Sequence, residues 1–121
     1  MNEESISRKP DGNNVYGIVC APGGLKAILS IAQSLVGNDL ASIYVSGYDG
    51  AATLRFSSDE CDFESTPLGQ NDEHLLNGGV AGCSDNVVEF VRVLSERLTQ
   101  AAIANRFEVY DDDGVLLKVI G

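Results

Sequence analysis

The segment Ser57-Ser58-Asp59-Glu60-Cys61-Asp62-Phe63-Glu64-Ser65-Thr66-Pro67-Leu68-Gly69-Gln70-Asn71-Asp72-Glu73-His74-Leu75-Leu76-Asn77-Gly78-Gly79-Val80-Ala81-Gly82-Cys83 decides how many strands this chain can carry. At 27 residues it is far longer than connections in compact domains usually are, unless the loop is functional. Its Ser, Asp, Glu, Asn and Gly content reads as a long acidic loop over 57–83. A short strand around Cys61-Asp62-Phe63 and a helical turn around Glu73-His74-Leu75-Leu76 are the local signals within it.

The flanks are easier to read. Val15-Tyr16-Gly17-Ile18-Val19-Cys20 is short, β-branched and apolar, as a buried strand should be. Ala21-Pro22-Gly23-Gly24 breaks it, and Pro near a helix start costs little because the first amides lack internal partners. Leu25, Ile28, Leu29, Ala32, Leu35 and Val36 then recur at helical spacing, and Gly37-Asn38 supplies a left-handed stop. Alternation at Ile43 and Val45 and at Ala52, Leu54 and Phe56, around Tyr48-Asp49-Gly50, predicts a hairpin with one buried face.

Beyond the loop, Val87, Val91, Leu94, Leu98 and Ala101 form the stripe of a second helix. Val88, Phe90 and Val93 widen the stripe, Ser84 is placed to cap the helix, and Asp85 favours its positive end. A second hairpin runs from Phe107 through Asp111-Asp112-Asp113-Gly114 to Ile120. The predicted order is β-α-β-β-α-β-β, an α+β two-layer sandwich of an antiparallel or mixed sheet with two helices on one face. Its first six elements match a split β-α-β, ferredoxin-like arrangement with the last strand at an edge. Residues 1–14 read as a flexible arm and 15–121 as a single domain.

Charge sets the partner class. Eighteen acidic against eight basic side chains give a formal net charge of −10. A phosphate backbone or an anionic bilayer needs a Lys/Arg surface, so neither nucleic acid nor membrane is expected. No apolar run reaches the about 20 residues of a spanning helix. From Ser57 through Phe90 there are eight acids and no Lys or Arg. The expected partner is therefore a protein with a basic surface. The residues expected to meet it are Asp59, Glu60, Asp62, Glu64, Asp72 and Glu73, with Asp111, Asp112 and Asp113 next.

Candidate chemistry is sparse. Cys20-Ala21-Pro22-Gly23-Gly24-Leu25-Lys26 sits between a strand and a helix and resembles the phosphate-cradling loop of cysteine-dependent phosphatases. Lys26 stands in place of that family's bidentate Arg, Ala27 in place of a hydroxyl residue and Val19 in place of a His, so no phosphatase activity is expected. The same glycines lack nucleotide-loop spacing. Cys61, His74 and Cys83, with Asp72 as a fourth ligand, are spaced too widely for a compact zinc turn, and no metal or cofactor is expected. Asp111-Asp112-Asp113-Gly114 leads into a strand, where a calcium loop would lead into a helix. His74 is the single histidine and has no hydroxyl or thiol beside it in sequence. No catalytic residue is assigned.

The strand-helix opening, the hairpin around Tyr48-Asp49-Gly50 and the closing Phe107-Glu108-Val109-Tyr110-Asp111-Asp112-Asp113-Gly114-Val115-Leu116 resemble the small immunity proteins encoded beside bacterial polymorphic and contact-dependent toxins. That resemblance implies a non-catalytic, one-to-one inhibitor of a toxin domain. The alternatives are a cryptic enzyme dependent on Cys20, with phosphatase-like activity, and a small cytoplasmic housekeeping interaction module. Its model is the roadblock-type dimer unit, which also alternates helix, hairpin, helix and hairpin and in which the strand at Val15–Cys20 would be extra. Met1-Asn2-Glu3-Glu4-Ser5 lacks a secretory start, and three cysteines without repeated spacing argue against a disulfide framework. The expected location is the cytoplasm.

Overall fold

The structure is a computed structural model and describes residues 12–68 and 72–121. In chain order it places β1 (Val15–Cys20), α1 (Lys26–Val36), a single 3-10 turn (Asn38–Leu40), β2 (Ala41–Val45) and β3 (Ala52–Ser57). There follow β4 (Cys61–Pro67), β5 (Glu73–Val80), α2 (Ser84–Gln100), β6 (Ala104–Tyr110) and β7 (Leu116–Ile120). The seven strands form one open sheet in the order β2-β3-β4-β5-β1-β6-β7, and every hydrogen-bonded pair is antiparallel. The α+β class and the two-helix layer are as expected. The strand count is not.

The segment 57–83 is not a long loop. It holds β4 and β5, and the expected helical turn at Glu73–Leu76 is extended chain paired with both β1 and β4. In β4 the inward positions are Cys61, Phe63 and Ser65, all buried, while Asp62, Glu64 and Thr66 point to the other face. The carboxylates that made the segment look like a loop occupy alternate positions of a strand, where solvent on one face satisfies them. In β5, Gly78 serves a close approach. A Cβ there would overlap the Asp62 carbonyl oxygen and sit 2.6 Å from the Phe63 ring.

Pairing fixes the strand directions. β5 and β6 each run antiparallel to β1, so α2 joins two parallel strands with β1 between them, a split β-α-β unit. By the same count of reversals β1 and β2 are parallel, and α1 joins them across β5, β4 and β3. The predicted hairpin β2–β3 is present, and β4 and β5, which the loop reading of 57–83 left out, stand between β3 and β1.

One face of the sheet is covered. Leu54, Phe56, Phe63, Leu76, Phe107 and Val109 meet Ile28 and Ala32 of α1 and Val91, Leu94 and Leu98 of α2 in a single core, each buried to 1% exposure or less. Phe56, Phe63 and Phe90 stack in sequence, with centroids 5.0 and 6.0 Å apart. Arg97 of α2 donates to the Ser34 hydroxyl of α1 at 2.6 Å, tying the two helices together at the surface. Cys83, not Ser84, occupies the N-cap of α2, and no side chain caps the helix. At the start of β1, Asn14 is not part of a loose arm. Its backbone N–H donates to the Gly78 carbonyl, and its side chain exchanges two bonds with Val80. The expected arm otherwise lies outside the described residues up to residue 11.

Candidate functional site: the uncovered sheet face and its acidic rim

Among the described residues the opposite face of the sheet carries no helix. Tyr16 and Ile18 of β1 are 43% and 42% exposed, whereas Val15 and Val19, their neighbours on the other face, are at 0% and 1%. The apolar run that reads as a buried strand is therefore buried on one side only. Register sets Ile18 beside Leu75 of β5 and Tyr16 beside Glu108 of β6, which in turn pairs with Val119 of β7. Leu117 and Val119 are exposed as well. Together these side chains make an apolar and aromatic strip over the β5-β1-β6-β7 half of the open face.

The β2-β3-β4 half is polar. Glu64 opposes Arg55 and Asp62 opposes Ser57, with the Arg55 Nε 3.8 Å from the Asp62 Oδ1. Both partners of this pair are about half exposed, so it adds little stability. Arg55, Asp62, Glu64, Thr66, Asn77 and Asn13 surround a hollow of about 260 Å³. Tyr44 stands exposed further out, on the edge strand β2.

The nine carboxylates singled out from sequence do not form one cluster. Asp59 and Glu60 sit in the β3–β4 turn, where the Ser58 hydroxyl accepts from the Glu60 N–H at 3.1 Å and the Glu60 carbonyl accepts from Ala81 at 2.7 Å. Asp62 and Glu64 lie on the open face itself. Asp72, at φ 58°, and Glu73 lie at the opposite end of the sheet, where the Asp72 carbonyl accepts from Ala21. Asp111, Asp112 and Asp113 form the β6–β7 turn, at the same end as Asp59 and Glu60 but four strand spacings away, about 19 Å. The expected single acidic surface over 57–83 is in fact a rim around the face, because alternation and strand reversal distribute the acids.

The turn at Asp111 is the hairpin connection that the sequence predicts. Asp111 Oδ1 accepts from the N–H groups of Asp113 and Val115, both at 2.9 Å, and Gly114 takes φ 79°. Beside it, Tyr110 donates its hydroxyl to Glu108 Oε1 at 2.8 Å, and Arg106 donates to Glu108 Oε2 at 3.2 Å. These bonds, the tyrosine first, hold the Glu108 carboxyl below the usual range, and the same carboxylate pushes the Tyr110 phenol above its own. Tyr16 meets Tyr110 edge to face at 5.6 Å. The sequence reading missed Tyr16, Ile18, Leu75, Glu108 and Tyr110. Only β1's place between two antiparallel neighbours reveals that its Tyr and Ile face solvent.

The other candidates are dispersed. Cys20 is half-buried at the end of β1, with Lys26 at the first position of α1. Cys61 is buried on the helix side of β4, 3.6 Å from the Ser58 hydroxyl, and pairs in register with Val80, six residues along β5 from His74. That separation is about 20 Å, and Cys83 is exposed before α2. Among the described residues no three His, Cys, Asp or Glu side chains gather as a metal group, and no helix is long and apolar enough to cross a membrane. His74 Nδ1 is buried without a hydrogen-bond partner. No cysteine is in a disulfide. Comparison with protein-family models, with curated protein sequences and with solved structures finds no match to this chain. Fold and site define an open-faced α+β sandwich with a carboxylate-rimmed sheet.

Proposed function

We propose that this chain is a non-catalytic binding protein that covers a basic surface on a protein partner, as an immunity protein covers its toxin. One observation carries the reading. Among the described residues nothing covers the second face of the sheet, and an apolar strip at Tyr16, Ile18, Leu75 and Val119 is flanked by carboxylates at both strand ends and across β4. Apolar area with charge around it is the usual anatomy of an interface, and a net charge of −10 steers a cationic partner toward it. On this reading the acids of β4 and of the two turns act together around the face, and the protein acts in the cytoplasm without a cofactor. The order β6-β1-β5 with β2 beyond is that of a ferredoxin-like sheet widened by the hairpin β3–β4.

The test is growth rescue with a matched binding measurement. Cells expressing the toxin domain encoded beside this chain should survive when the chain is co-expressed, and the two purified proteins should bind one to one. Exchanging Asp59, Glu60, Asp62 and Glu64 for their amides should slow association at least tenfold at low salt and flatten its salt dependence, with the fold retained. Absence of rescue and of binding overturns the proposal.

A further inference from the structure

A cavity of about 550 Å³ opens at the upper corner of the apolar strip, between the residues leading into β1 and the β6–β7 turn. Its walls differ in chemistry. Tyr16 and Tyr110, their rings set edge to face, line it together with the acidic residues Asp111 and Asp112 of the turn. We propose that this cavity receives an arginine side chain presented by a protein partner.

The walls are fixed before any ligand arrives. Tyr110 is held through its hydroxyl by Glu108, and Asp111 by the two amides of its own turn. Asn14 joins the floor to both neighbours: its N–H and side chain bond to β5, and its carbonyl accepts from the Tyr110 N–H at 2.9 Å. A site held this way loses little freedom on binding. Arg106, the cation next along β6, is bonded to Glu108, and among the described residues no cation lies within salt-bridge reach of Asp111 or Asp112. Among the described residues the pocket therefore sets aromatic rings beside acidic residues that no cation pairs with.

That pairing selects a guanidinium. Arginine is planar, stacks on a ring face and presents its donors to a carboxylate in the same plane, so it can use both walls together. A lysine ammonium, a compact and strongly hydrated charge, meets one wall at a time. A hard divalent ion wants six or more oxygens, and half of this lining is carbon. The inference rests on the basic-partner reading only for the source of the arginine.

The experiment is a titration followed by amide and tyrosine-ring NMR on the full chain. N-acetyl-arginine-amide should give saturable shifts confined to Tyr16, Tyr110, Asp112 and Gly114. The lysine counterpart should bind at least threefold more weakly, and the neutral, isosteric citrulline counterpart should give none. Tyr16→Leu and Asp112→Asn should each weaken arginine binding about three- to tenfold while leaving the rest of the spectrum unchanged. A second series in Arg8→Gln/Lys9→Gln removes the chain's own cations nearest in sequence, and saturable binding in either background supports the site. No saturable shift in both, equal response to citrulline, or indifference to both cavity variants overturns it. A Gly-Gly-Arg-Gly-Gly peptide that binds as well as the amide supports a protein source, and exclusion of the peptide overturns that part. Because the probes need no partner, failure of growth rescue leaves this measurement independent.

Discussion

The two faces of the sheet use the same strands for opposite purposes. Along β1, Val15 and Val19 are sealed under the helices while Tyr16 and Ile18 stand in solvent, although all four are residues that favour strands and cores. On the helix side, shape decides everything: Phe107 lies across Gly17 so closely that a Cβ would overlap its ring, and Phe63 lies across Gly78 in the same way. On the open side no described residue packs from above, and the side chains of the strands meet neighbours within the sheet. Residue type alone does not tell structural from functional positions in this molecule. The layer above each residue does.

Stability measurements can break that contrast. Phe107→Ala should cost about 3–5 kcal/mol in urea unfolding, the loss expected for an aromatic ring removed from a tight core. Gly78→Ala follows, at about 3 kcal/mol, since the new methyl meets backbone oxygen as well as the Phe63 ring. The sharpest comparison uses adjacent residues. Val19→Thr puts a hydroxyl into the core and should cost about 1–3 kcal/mol, whereas Ile18→Thr, on the open face, should cost under about 1 kcal/mol. Equal losses at 18 and 19 would show that something covers the open face in solution.

The smallest effect is electrostatic and belongs to the open face alone. Glu108 raises the Tyr110 phenol above the ordinary tyrosine value of about 10. A raised folded value means that this interaction stabilises the fold below the ordinary value and is lost as pH rises through the folded one. Glu108 itself is depressed, so its share is present above the ordinary carboxylate range and is lost as pH falls through its folded value. Spectroscopic titration should find Tyr110 ionising above the ordinary tyrosine value, and Glu108→Gln should bring it back toward that value. If Glu108→Gln leaves the titration unchanged, the hydrogen bond between Tyr110 and Glu108 is absent in solution.

What the sequence showed and what it concealed follow from how each element is satisfied. The two hairpins were legible because Gly50 and Gly114 supply the positive φ that their turns demand. Both helices were legible from one-sided periodicity. β4 was legible only as a short strand around Cys61-Asp62-Phe63, because Asp62, Glu64 and a polar Ser in the core disguise how far the inward alternation of Cys61, Phe63 and Ser65 runs. Ser65 is tolerated there because its hydroxyl accepts from the Leu54 N–H at 2.8 Å, a pairing no single strand can display. β5 was hidden by Asn77-Gly78-Gly79, which reads as a turn until Phe63 is seen to need the space. On the open face, charge alone picked out acids without showing where they lie, while Tyr16 was read into a buried strand and Tyr110 into a hairpin with no role.

The position of β1 also bears on how the chain is made. It lies inside the sheet, paired on both edges, yet its partners are β5 and β6, drawn from the second half of the sequence. A ribosome adding residues at about 5–20 per second releases β1 several seconds before β6 exists to pair with it. The meander β2-β3-β4 can close locally in that interval, while Tyr16, Ile18, Val15 and Val19 wait with both faces bare. Such a topology folds late and slowly, because its central strand joins by the longest loops the chain contains. The interval before β6 emerges is when this protein is most exposed to aggregation, and a chaperone that binds short β-branched segments would find its target at Val15–Cys20.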